Sequence, residues 1–392
     1  MAARLLISAG EASGDLYAAE LVKALRRRNP DMRFWGCAGP RMQAAGVEAV
    51  VDSRALAVAG LVEVVLHIPR IHGEFRKLVR EARRHPPDVA VLTDSPDFHL
   101  RLAKKLLPLN VPVVYLVAPQ VWAWRKGRLP LMRRVITRLL CIFPFEEAFF
   151  EKHRIPARYI GHPLARLVRP SGSRHELRIR FAAPEERPLV VLLPGSRPGE
   201  IRRHLPAVLD AVDEIRKSCD CLFALSLPPG FASRADLQHF EERFRRSSIQ
   251  VFEGKTWDLL ACAELALAAS GTVTVEATLL GTPMVTFYRV TGLSWILGKL
   301  LVRTPFYSMV NLLAGRAIVP ELLQSRMTGE RIAADAVRLL KEPELRERMK
   351  EDLAQVAGQL AAAGDPMETA AAAVEQVIER CSKQTVKEEA HA

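Results

Sequence analysis

Two carboxylates lie three residues apart in the segment LTDSPDF at residues 92–98. Asp94 follows a short apolar run, 89–93, that predicts a buried strand. A carboxylate at a strand end can accept a hydroxyl proton when partial burial raises its pKa, so Asp94 is the candidate general base. Pro96 and Asp97 are typical of a helix start, which favours a capping role for Asp97. Asp97 stays open as the alternative base.

A glycine turn farther along the chain predicts a phosphate site. The segment LPGSRPGE at residues 193–200 leads from a predicted strand through Gly195 and Ser196 into a predicted helix, with Arg197 beside the turn. Backbone N–H groups at a helix N-terminus and a guanidinium group together suit a diphosphate. The segment is not a Walker loop, because no Lys followed by Ser or Thr ends it. A plain turn is the alternative.

A second junction of strand, glycine and helix occurs in the segment SGTVTVE at residues 270–276. Ser270, Gly271 and Thr272 would open the helix, and we expect a further phosphate contact there. Glu276 lies one turn into the helix, where a carboxylate can hold a ribose diol. The alternative for Glu276 is that it only complements the helix dipole.

The turn after the first predicted strand has the sequence GEASGD at residues 10–15. Its glycines permit positive φ angles and a close backbone approach to a ligand. Glu11, Ser13 and Asp15 are therefore candidate contacts to a ligand. The alternative is a tight turn in which Asp15 or Ser13 caps the following helix.

Two indoles stand beside three cations in the segment PQVWAWRKGR at residues 119–128. Trp122, Trp124 and Arg125 suit a phosphorylated sugar, and we predict that they bind such a ligand. Stacking on nucleic acid is a second interpretation, but no known RNA- or DNA-binding module accompanies the segment. Packing in the core is the alternative for either tryptophan.

Residues 55–71 hold an apolar run that only Glu63 and His67 interrupt before the basic residues that begin at Arg70. Such a pattern suits an interfacial helix on anionic lipid. The alternative is an ordinary helix that faces the core. The predicted membrane contacts are Leu61, Val62, Val65, Leu66 and Ile68.

Short Val, Leu and Ile runs alternate with helical patterns and so predict parallel βα units. The predicted strands are 4–9, 89–93, 113–116 and 139–142, then 189–193, 221–225, 249–252, 264–268 and 283–287; helices are predicted at 15–28, 97–107 and 125–134. We expect two doubly wound α/β domains, 1–167 and 189–330, that face a ligand cleft. A linker at 168–188 joins them, and alanine-rich helices at 331–392 pack on the N-terminal domain or on a partner subunit.

The 392 residues include 56 Lys and Arg against 44 Asp and Glu, a formal net charge of +12 that predicts an anionic partner. Residues 331–392 carry more acidic than basic side chains, so the cationic excess lies in residues 1–330. Six cysteines form no disulfide framework, which favours a reducing cytosol. No apolar stretch reaches the roughly 20 residues of a transmembrane helix, and the N-terminus does not read as a signal peptide.

A series of motifs between residues 4 and 325 resembles the lipid-A-disaccharide synthases. The motifs are SAGEASGD (8–15), AGPRM (38–42), DSPDF (94–98), PQVWAWR (119–125), FPFE (143–146), GHP (161–163), LPGSR (193–197), SGT (270–272) and NLLAGR (311–316). Their common order makes this resemblance far more specific than any single glycine motif.

The resemblance implies a GT-B glycosyltransferase with an acceptor-side N-terminal domain and a UDP-sugar C-terminal domain. It implies inverting transfer of 2,3-diacylglucosamine from UDP to 2,3-diacylglucosamine 1-phosphate, which gives the β-1′,6 disaccharide of lipid A and UDP. By motif match, Asp94 falls on the family's general base and Arg197 on its essential donor-site arginine. Three further residues match donor-site positions: Arg289, Asn311 and Glu276. Arg166 stands where the family often has an acid, so position 166 is given no role.

The resemblance also implies no cofactor and no obligatory metal. The implied partners are UDP-diacylglucosamine, diacylglucosamine 1-phosphate and the anionic cytoplasmic face of the inner membrane, with a homodimer formed through the C-terminal helices and no nucleic acid. Two other classes remain as alternatives: another GT-B enzyme for UDP-GlcNAc, such as a transferase or 2-epimerase, and a non-catalytic protein that binds anionic lipid or RNA. The motifs in the N-terminal half argue against another GT-B enzyme, because that half sets the acceptor.

Overall fold

A computed structural model describes residues 3–55, 61–231, 235–292, 295, 304–362 and 364–389, without the side chains of 55, 61–68, 235–236 and 382–389. The chain divides into two units: Met1–Pro163 with Leu360–Ala392, and Leu164–Gln359. Each unit is built on one parallel β-sheet with helices between its strands.

The first unit contains a seven-stranded parallel sheet in the order β3-β2-β1-β4-β5-β6-β7. Its strands are nearly all apolar and buried, as expected when helices cover both faces of a sheet. The elements are β1 (Arg4–Ala9), α1 (Ala12–Arg28), β2 (Arg33–Ala38), α2 (Pro40–Ala44), β3 (Glu48–Asp52), α3 (Leu61–Arg84), β4 (Val89–Thr93), α4 (Pro96–Leu106), β5 (Val113–Leu116), α5 (Leu129–Val135), β6 (Arg138–Cys141), α6 (Pro144–Lys152) and β7 (Ala157–Tyr159).

The second unit contains a six-stranded parallel sheet in the order β10-β9-β8-β11-β12-β13. Its elements are α7 (Leu164–Leu167), α8 (Arg174–Arg180), β8 (Leu189–Leu193), α9 (Pro198–Arg216), β9 (Leu222–Leu227), α10 (Ala235–Gln238), α11 (Glu241–Arg246), β10 (Ile249–Glu253), α12 (Thr256–Cys262), β11 (Leu265–Ala269), α13 (Thr272–Leu279), β12 (Met284–Tyr288), α14 (Met309–Ala314), β13 (Glu321–Leu323), α15 (Gly329–Lys341) and α16 (Pro343–Leu360).

Both sheets change winding direction between two neighbouring strands, and ligands of such folds bind at the carboxyl ends of those strands. In the first sheet the change lies between β1 and β4, where Ala9 pairs with Thr93. In the second it lies between β8 and β11, where Leu193 pairs with Ala268. The four motifs that carry the predicted chemistry thus follow the four strands at the two reversal points.

The doubly wound α/β architecture predicted from the sequence is confirmed. The strands predicted at 4–9, 89–93, 113–116 and 189–193 have the predicted bounds, and the other five are displaced at their ends by one or two residues. The predicted helix at 125–134 is different: α5 starts at Leu129, because Arg125 has a left-handed φ of 58° and a 3-10 turn, Lys126–Arg128, follows it.

The segment 168–188, predicted as a linker, contains helix α8 and is packed into the second unit. Ser173 and Glu176 form a capping box at its start, a signal present in the sequence. Arg178 is 1% exposed and ties the segment to the sheet. Its guanidinium donates to Glu264 and to the carbonyl oxygens of Ala183, Pro184, Arg187 and Cys262.

The last helix, α17 (Pro366–Glu389), belongs to the first unit and packs against α1. The pairs Arg27–Glu368 at 2.6 Å and Arg28–Glu375 at 2.7 Å join the two helices at their exposed edges. Among the described residues, no helix is long and apolar enough to cross a membrane.

Candidate functional site

The carboxylate of Asp94 lies against the turn that follows β1. Its Oδ1 atom accepts the backbone N–H of Gly10 at 2.9 Å, and its Oδ2 atom accepts that of Glu11 at 3.0 Å. The parallel pairing of β1 with β4 brings the two strand ends together and so places this contact. The turn predicted as a ligand loop thus holds the predicted base.

Two glycines of this turn make room for Asp94 and its neighbour. A Cβ atom on Gly14 would overlap Oδ2 of Asp94, and a Cβ atom on Gly10 would overlap Oγ of Ser95. Neither glycine has a positive φ angle. The close approach therefore requires these glycines, whereas the positive φ angles predicted from the sequence do not occur.

Burial raises the pKa of Asp94 to about 7. The negative charge of Glu11 adds to this increase, while hydrogen bonds from Ser95 and from the backbone of Gly10 and Glu11 oppose it. A general base works best when its pKa lies near the operating pH. Asp94 therefore has the pKa of a base that takes a proton from a hydroxyl group near neutral pH.

The backbone at Asp94 is strained, with left-handed φ angles of 56° at Asp94 and 38° at Ser95. Such angles cost on the order of 1–3 kcal/mol per residue and cluster at functional sites. The carbonyl oxygen of Asp94 accepts two buried donors, Tyr115 Oη at 2.5 Å and His99 Nδ1 at 2.9 Å. Sequence reasoning missed both, although His99 lies only five residues after Asp94 on a helix that faces the core.

The carboxylate of Asp15, another candidate residue of the turn after β1, points to a different helix from the one that begins in this turn. Helix α1 begins at Ala12 after Glu11, and no side chain caps it, so the alternative in which Asp15 or Ser13 caps this helix is wrong. Asp15 is 4% exposed and accepts the backbone N–H groups of Arg41 and Met42 at 3.0 and 3.1 Å. Its carboxylate therefore caps α2, and both oxygen atoms are engaged within the protein.

Trp122 is partly buried and donates its Nε1–H to Glu146 Oε1 at 3.0 Å. Glu146 is fully buried, and its Oε2 accepts the backbone N–H of Phe143 at 3.2 Å. Burial raises the pKa of Glu146 to about 8. The indole edge also packs at right angles to Phe145, at 4.9 Å between ring centroids. Trp122 thus has the packing role that the sequence left open, with one face toward the core.

Arg125 forms a cluster with the exposed Asp97 and the half-buried Trp124. Its guanidinium lies 4.4 Å from the indole centroid, and Nη1 contacts both carboxylate oxygens of Asp97 at 3.0 and 2.9 Å. Arg128 also pairs with Asp97. The predicted capping role of Asp97 is therefore wrong: this carboxylate is 67% exposed and balances two arginines.

The glycine turn after β8 has the predicted form. Gly195 has a φ of 137°, where a Cβ atom would crowd Glu200, and Arg197 is the N-cap of α9. Glu200 accepts the backbone N–H of Ser196 at 3.2 Å and pairs with Arg197 Nη1 at 3.6 Å. Tyr288 Oη also donates to Glu200 at 2.9 Å. Sequence reasoning missed Glu200, which orders the turn at the helix start.

The turn after β11 opens toward free space. Gly271 has no heavy atom within 4 Å of its would-be Cβ, and Thr272 begins α13. Gly271 and Thr272 are exposed, whereas Ser270 and Glu276 are partly buried. The backbone N–H of Ser270 is bonded to the carbonyl of Phe287 at 2.8 Å. The exposed residues at this helix start are therefore Gly271 and Thr272, whereas the N–H of Thr274 is bonded to the carbonyl of Gly271 at 3.1 Å.

Arg289 and Asn311, matched to the donor site, are tied into the second unit. Arg289 donates Nε to the carbonyl of Gln324 at 3.2 Å and also bonds to Met327. Asn311 is fully buried and uses all its hydrogen-bonding capacity within its own loop. It donates to Val319 and Glu321 and accepts from the backbone of Ile318 and Val319. Asn311 therefore shapes this loop and offers no open polar atom to a ligand.

The predicted membrane segment lies largely outside the described residues. The structure describes the backbone of α3 from Leu61, but not residues 56–60 or the side chains of 61–68. The five predicted lipid contacts remain predictions. Elsewhere in the described chain, no group of three or more His, Cys, Asp or Glu side chains could hold a metal ion.

Comparisons with known proteins show the family to which the chain belongs. The family model for lipid-A-disaccharide synthetase matches residues 5–374. The chain is 59% identical over 378 residues to the lipid-A-disaccharide synthase of Solibacter usitatus, covering 96% of this chain and 98% of that protein. It is 42% identical to the lipid-A-disaccharide synthase of Myxococcus xanthus, covering 96% and 97%.

Solved structures share the fold at low sequence identity. The UDP-GlcNAc 2-epimerase of Neisseria meningitidis has a TM-score of 0.62 at 13% identity, covering 97% of this chain and 100% of that one. MurG of Acinetobacter baumannii has a TM-score of 0.57 at 13% identity, covering 96% and 100%. The two doubly wound units are thus the GT-B fold, and the chain belongs to the lipid-A-disaccharide synthetase family of glycosyltransferases.

Proposed function

We propose that this enzyme transfers 2,3-diacylglucosamine from UDP to 2,3-diacylglucosamine 1-phosphate, forming the β-1′,6 disaccharide 1-phosphate of lipid A and releasing UDP. The family match over residues 5–374 supports the choice of substrates. The observation that carries the chemistry is the partly buried carboxylate of Asp94, whose pKa of about 7 suits deprotonation of a sugar hydroxyl.

Asp94 acts on the acceptor in this proposal. Its carboxylate takes the proton of the acceptor 6-hydroxyl as that oxygen attacks the anomeric carbon from the side opposite the UDP leaving group. A single displacement of this kind inverts the anomeric configuration. Two backbone N–H groups, of Gly10 and Glu11, fix the orientation of the carboxylate before the acceptor arrives.

The second unit stabilises the leaving diphosphate. The N-termini of α9 and α13 supply backbone N–H groups, and Arg197 supplies a positive charge at the first of them. Removing one such preorganised donor typically slows a reaction about a hundredfold. Glu276 is proposed to hold the ribose. Asn311 acts indirectly by shaping its loop, because its polar atoms are engaged within the protein.

The cluster of Trp124, Arg125 and Asp97 is proposed to bind the acceptor phosphate. Arg125 and Arg128 together carry one more positive charge than Asp97 can balance. A planar guanidinium binds a phosphate in a bidentate manner, so the acceptor phosphate can replace the Asp97 carboxylate on Arg125. Asp15 is left out of the direct contacts, because it caps α2.

Three further properties are proposed from the family. The enzyme needs no metal, so EDTA leaves the rate unchanged. It associates with anionic lipid at the cytoplasmic face of the inner membrane through residues 61–68, so Val62, Val65 and Leu66 changed to Ser lower vesicle binding at low salt. It forms a homodimer through its C-terminal helices, which sedimentation of the full-length chain and of a chain ending at residue 365 tests.

The direct test supplies the purified chain with both substrates and follows the products by mass spectrometry. We expect one disaccharide and one UDP per turnover, and a β linkage by proton NMR. An intact, folded sample that releases no disaccharide would refute the proposed activity. Release of UDP or of a free sugar alone would indicate hydrolysis or epimerisation instead.

A further inference from the structure

Three buried polar side chains outside the proposed reaction converge on the backbone of Asp94. Ser8 lies on β1, His99 on α4 and Tyr115 on β5, and all three are fully buried. Ser8 Oγ is 2.7 Å from His99 Nε2, His99 Nδ1 is 2.9 Å from the carbonyl oxygen of Asp94, and Tyr115 Oη is 2.5 Å from the same oxygen.

The chemistry of these atoms fixes the direction of each hydrogen bond. A carbonyl oxygen only accepts, so both Tyr115 Oη and His99 Nδ1 donate to Asp94. Burial lowers the pKa of His99 to about 4, so the ring is neutral and Nε2 carries a lone pair. Ser8 Oγ therefore donates to Nε2, and this contact selects the tautomer that holds Asp94.

The contacts connect Asp94 by two routes to β1 and the turn that follows it. On one side, the carbonyl of Asp94 is held through His99 to Ser8 of β1. On the other side, the carboxylate of Asp94 is held by Gly10, two residues after Ser8. The carbonyl and the carboxylate of a residue with a strained, left-handed backbone are thus fixed to β1 and to the turn that directly follows it.

We propose that His99, oriented by Ser8 and assisted by Tyr115, is a positioning residue that holds the left-handed backbone of Asp94 and thereby aims its carboxylate. This inference rests on the proposed role of Asp94 as the base. His99 itself takes no proton during the reaction, because its one open nitrogen faces Ser8 within the core. A displacement of about 1 Å in a reacting group can cost roughly a hundredfold in rate.

Substitutions at residue 99 distinguish the loss of the Nδ1–H hydrogen bond to Asp94 from the effect of changing a buried side chain. The side-chain amide of Asn places an N–H donor near the position of His Nδ1. The amide of Gln reaches only the position of Nε2, and Leu has no hydrogen-bond donor. We expect His99→Leu and His99→Gln to lower kcat about a hundredfold with little change in the KM for the acceptor, whereas His99→Asn stays within about fivefold of wild type. A kcat for His99→Leu within about threefold of wild type would overturn the proposal, and so would a folded His99→Asn as slow as His99→Leu.

A second measurement does not depend on the reaction. The ¹³C signal of the Asp94 carboxyl, assigned by its loss in Asp94→Asn, is titrated in the full chain. The charged or titratable groups that act on Asp94 are Glu11, Cys37, His99 and Tyr115. We expect the pKa of Asp94 to fall from about 7 toward its ordinary value near 4 in His99→Leu, and to stay near 7 in His99→Asn. An unchanged pKa in folded His99→Leu would overturn the proposal even if the wild-type chain has no transferase activity.

If the residue 99 variants do not fold, Tyr115→Phe tests whether hydrogen bonds to the carbonyl of Asp94 position its carboxylate. It removes one hydroxyl and keeps the ring, so we expect a fall in kcat of about tenfold and a lowered pKa of Asp94. Tyr159→Phe is the matched control, because Tyr159 also donates to a backbone carbonyl, that of Leu360 at 3.3 Å. The control should leave both quantities unchanged, and a Tyr115→Phe variant that does the same would contradict the proposal.

Discussion

Gly14 lies directly against the carboxylate of Asp94, and a Cβ atom on residue 14 would overlap Oδ2 and come within 2.7 Å of Cγ. The atoms that would be displaced belong to the end of a side chain and not to the backbone. A larger residue here would therefore move the proposed base while leaving the fold in place. A substitution at Gly14 therefore tests whether activity depends on the position of the Asp94 carboxylate.

We predict that Gly14→Ala lowers kcat at least about a hundredfold, because it forces Asp94 out of its two hydrogen bonds. Gly73→Ala is the control, since a Cβ there meets no atom within 4 Å and a helical alanine stabilises by about 0.5–1 kcal/mol. Steady-state kinetics and thermal unfolding of both variants check the prediction. Near-normal kcat in Gly14→Ala would show that the position of Asp94 does not matter.

The pH dependence of kcat/KM should report the ionisation of Asp94. A general base is active when deprotonated, so the rate should rise with pH and level off above the pKa of about 7. Below that value, kcat/KM should fall about tenfold for each pH unit. A flat profile between pH 5 and 8 would be inconsistent with a base whose pKa is raised to this range.

Glu146 should make the first unit less stable as the pH rises. Its folded pKa of about 8 lies above the ordinary value near 4.5, so the folded state binds the extra proton between those values. The free energy of unfolding should then fall by up to about 1.4 kcal/mol per pH unit across that window. Glu146→Gln should flatten this slope in urea unfolding, even if losing the Phe143 contact lowers its stability at acid pH. An unchanged slope would contradict the prediction.

Arg178 should be essential for the second unit to fold. It is buried and bonded to Glu264 and several carbonyl oxygens, so Arg178→Met removes the buried donor of these carbonyl groups and one of the donors of Glu264. We expect a loss of about 3–5 kcal/mol in the free energy of unfolding. Arg174→Ala is the control, because Arg174 is 45% exposed and pairs with the same glutamate, so it should cost no more than about 1 kcal/mol. Equal losses for the two variants would argue against a special role for the buried arginine.

The sequence predicted those parts of the fold in which local pattern and tertiary packing agree. The buried apolar runs that form β1, β4, β5 and β8 have no other stable arrangement, and their bounds are correct. Four strands were missed. The edge strands β7 and β13 have only three residues each, β2 is interrupted by Gly36, and the edge strand β3 is mostly not buried, so each carries too weak an apolar pattern. The helix α8 was missed because the glycine and serines before it outweighed the capping box that Ser173 and Glu176 form.

In the candidate site, too, local sequence patterns predict some features and miss others. The positions of Asp94 and the glycine turn at Gly195 follow from their place after buried strands, which the sequence reveals. The contacts between Asp94, His99 and Tyr115 depend on which elements become neighbours in the sheet, and a single sequence does not contain that order. For the same reason the role of Asp15 was misjudged, because the helix that it caps begins 25 residues later.

The most direct test of the account compares wild type with Asp94→Asn in disaccharide formation and in UDP binding. Asn keeps the shape of the side chain but cannot take a proton. We predict that turnover falls at least about a thousandfold while the dissociation constant for UDP, measured by calorimetry, stays within about twofold. Asp94→Asn turnover within tenfold of wild type would show that another group removes the proton and would contradict the central claim.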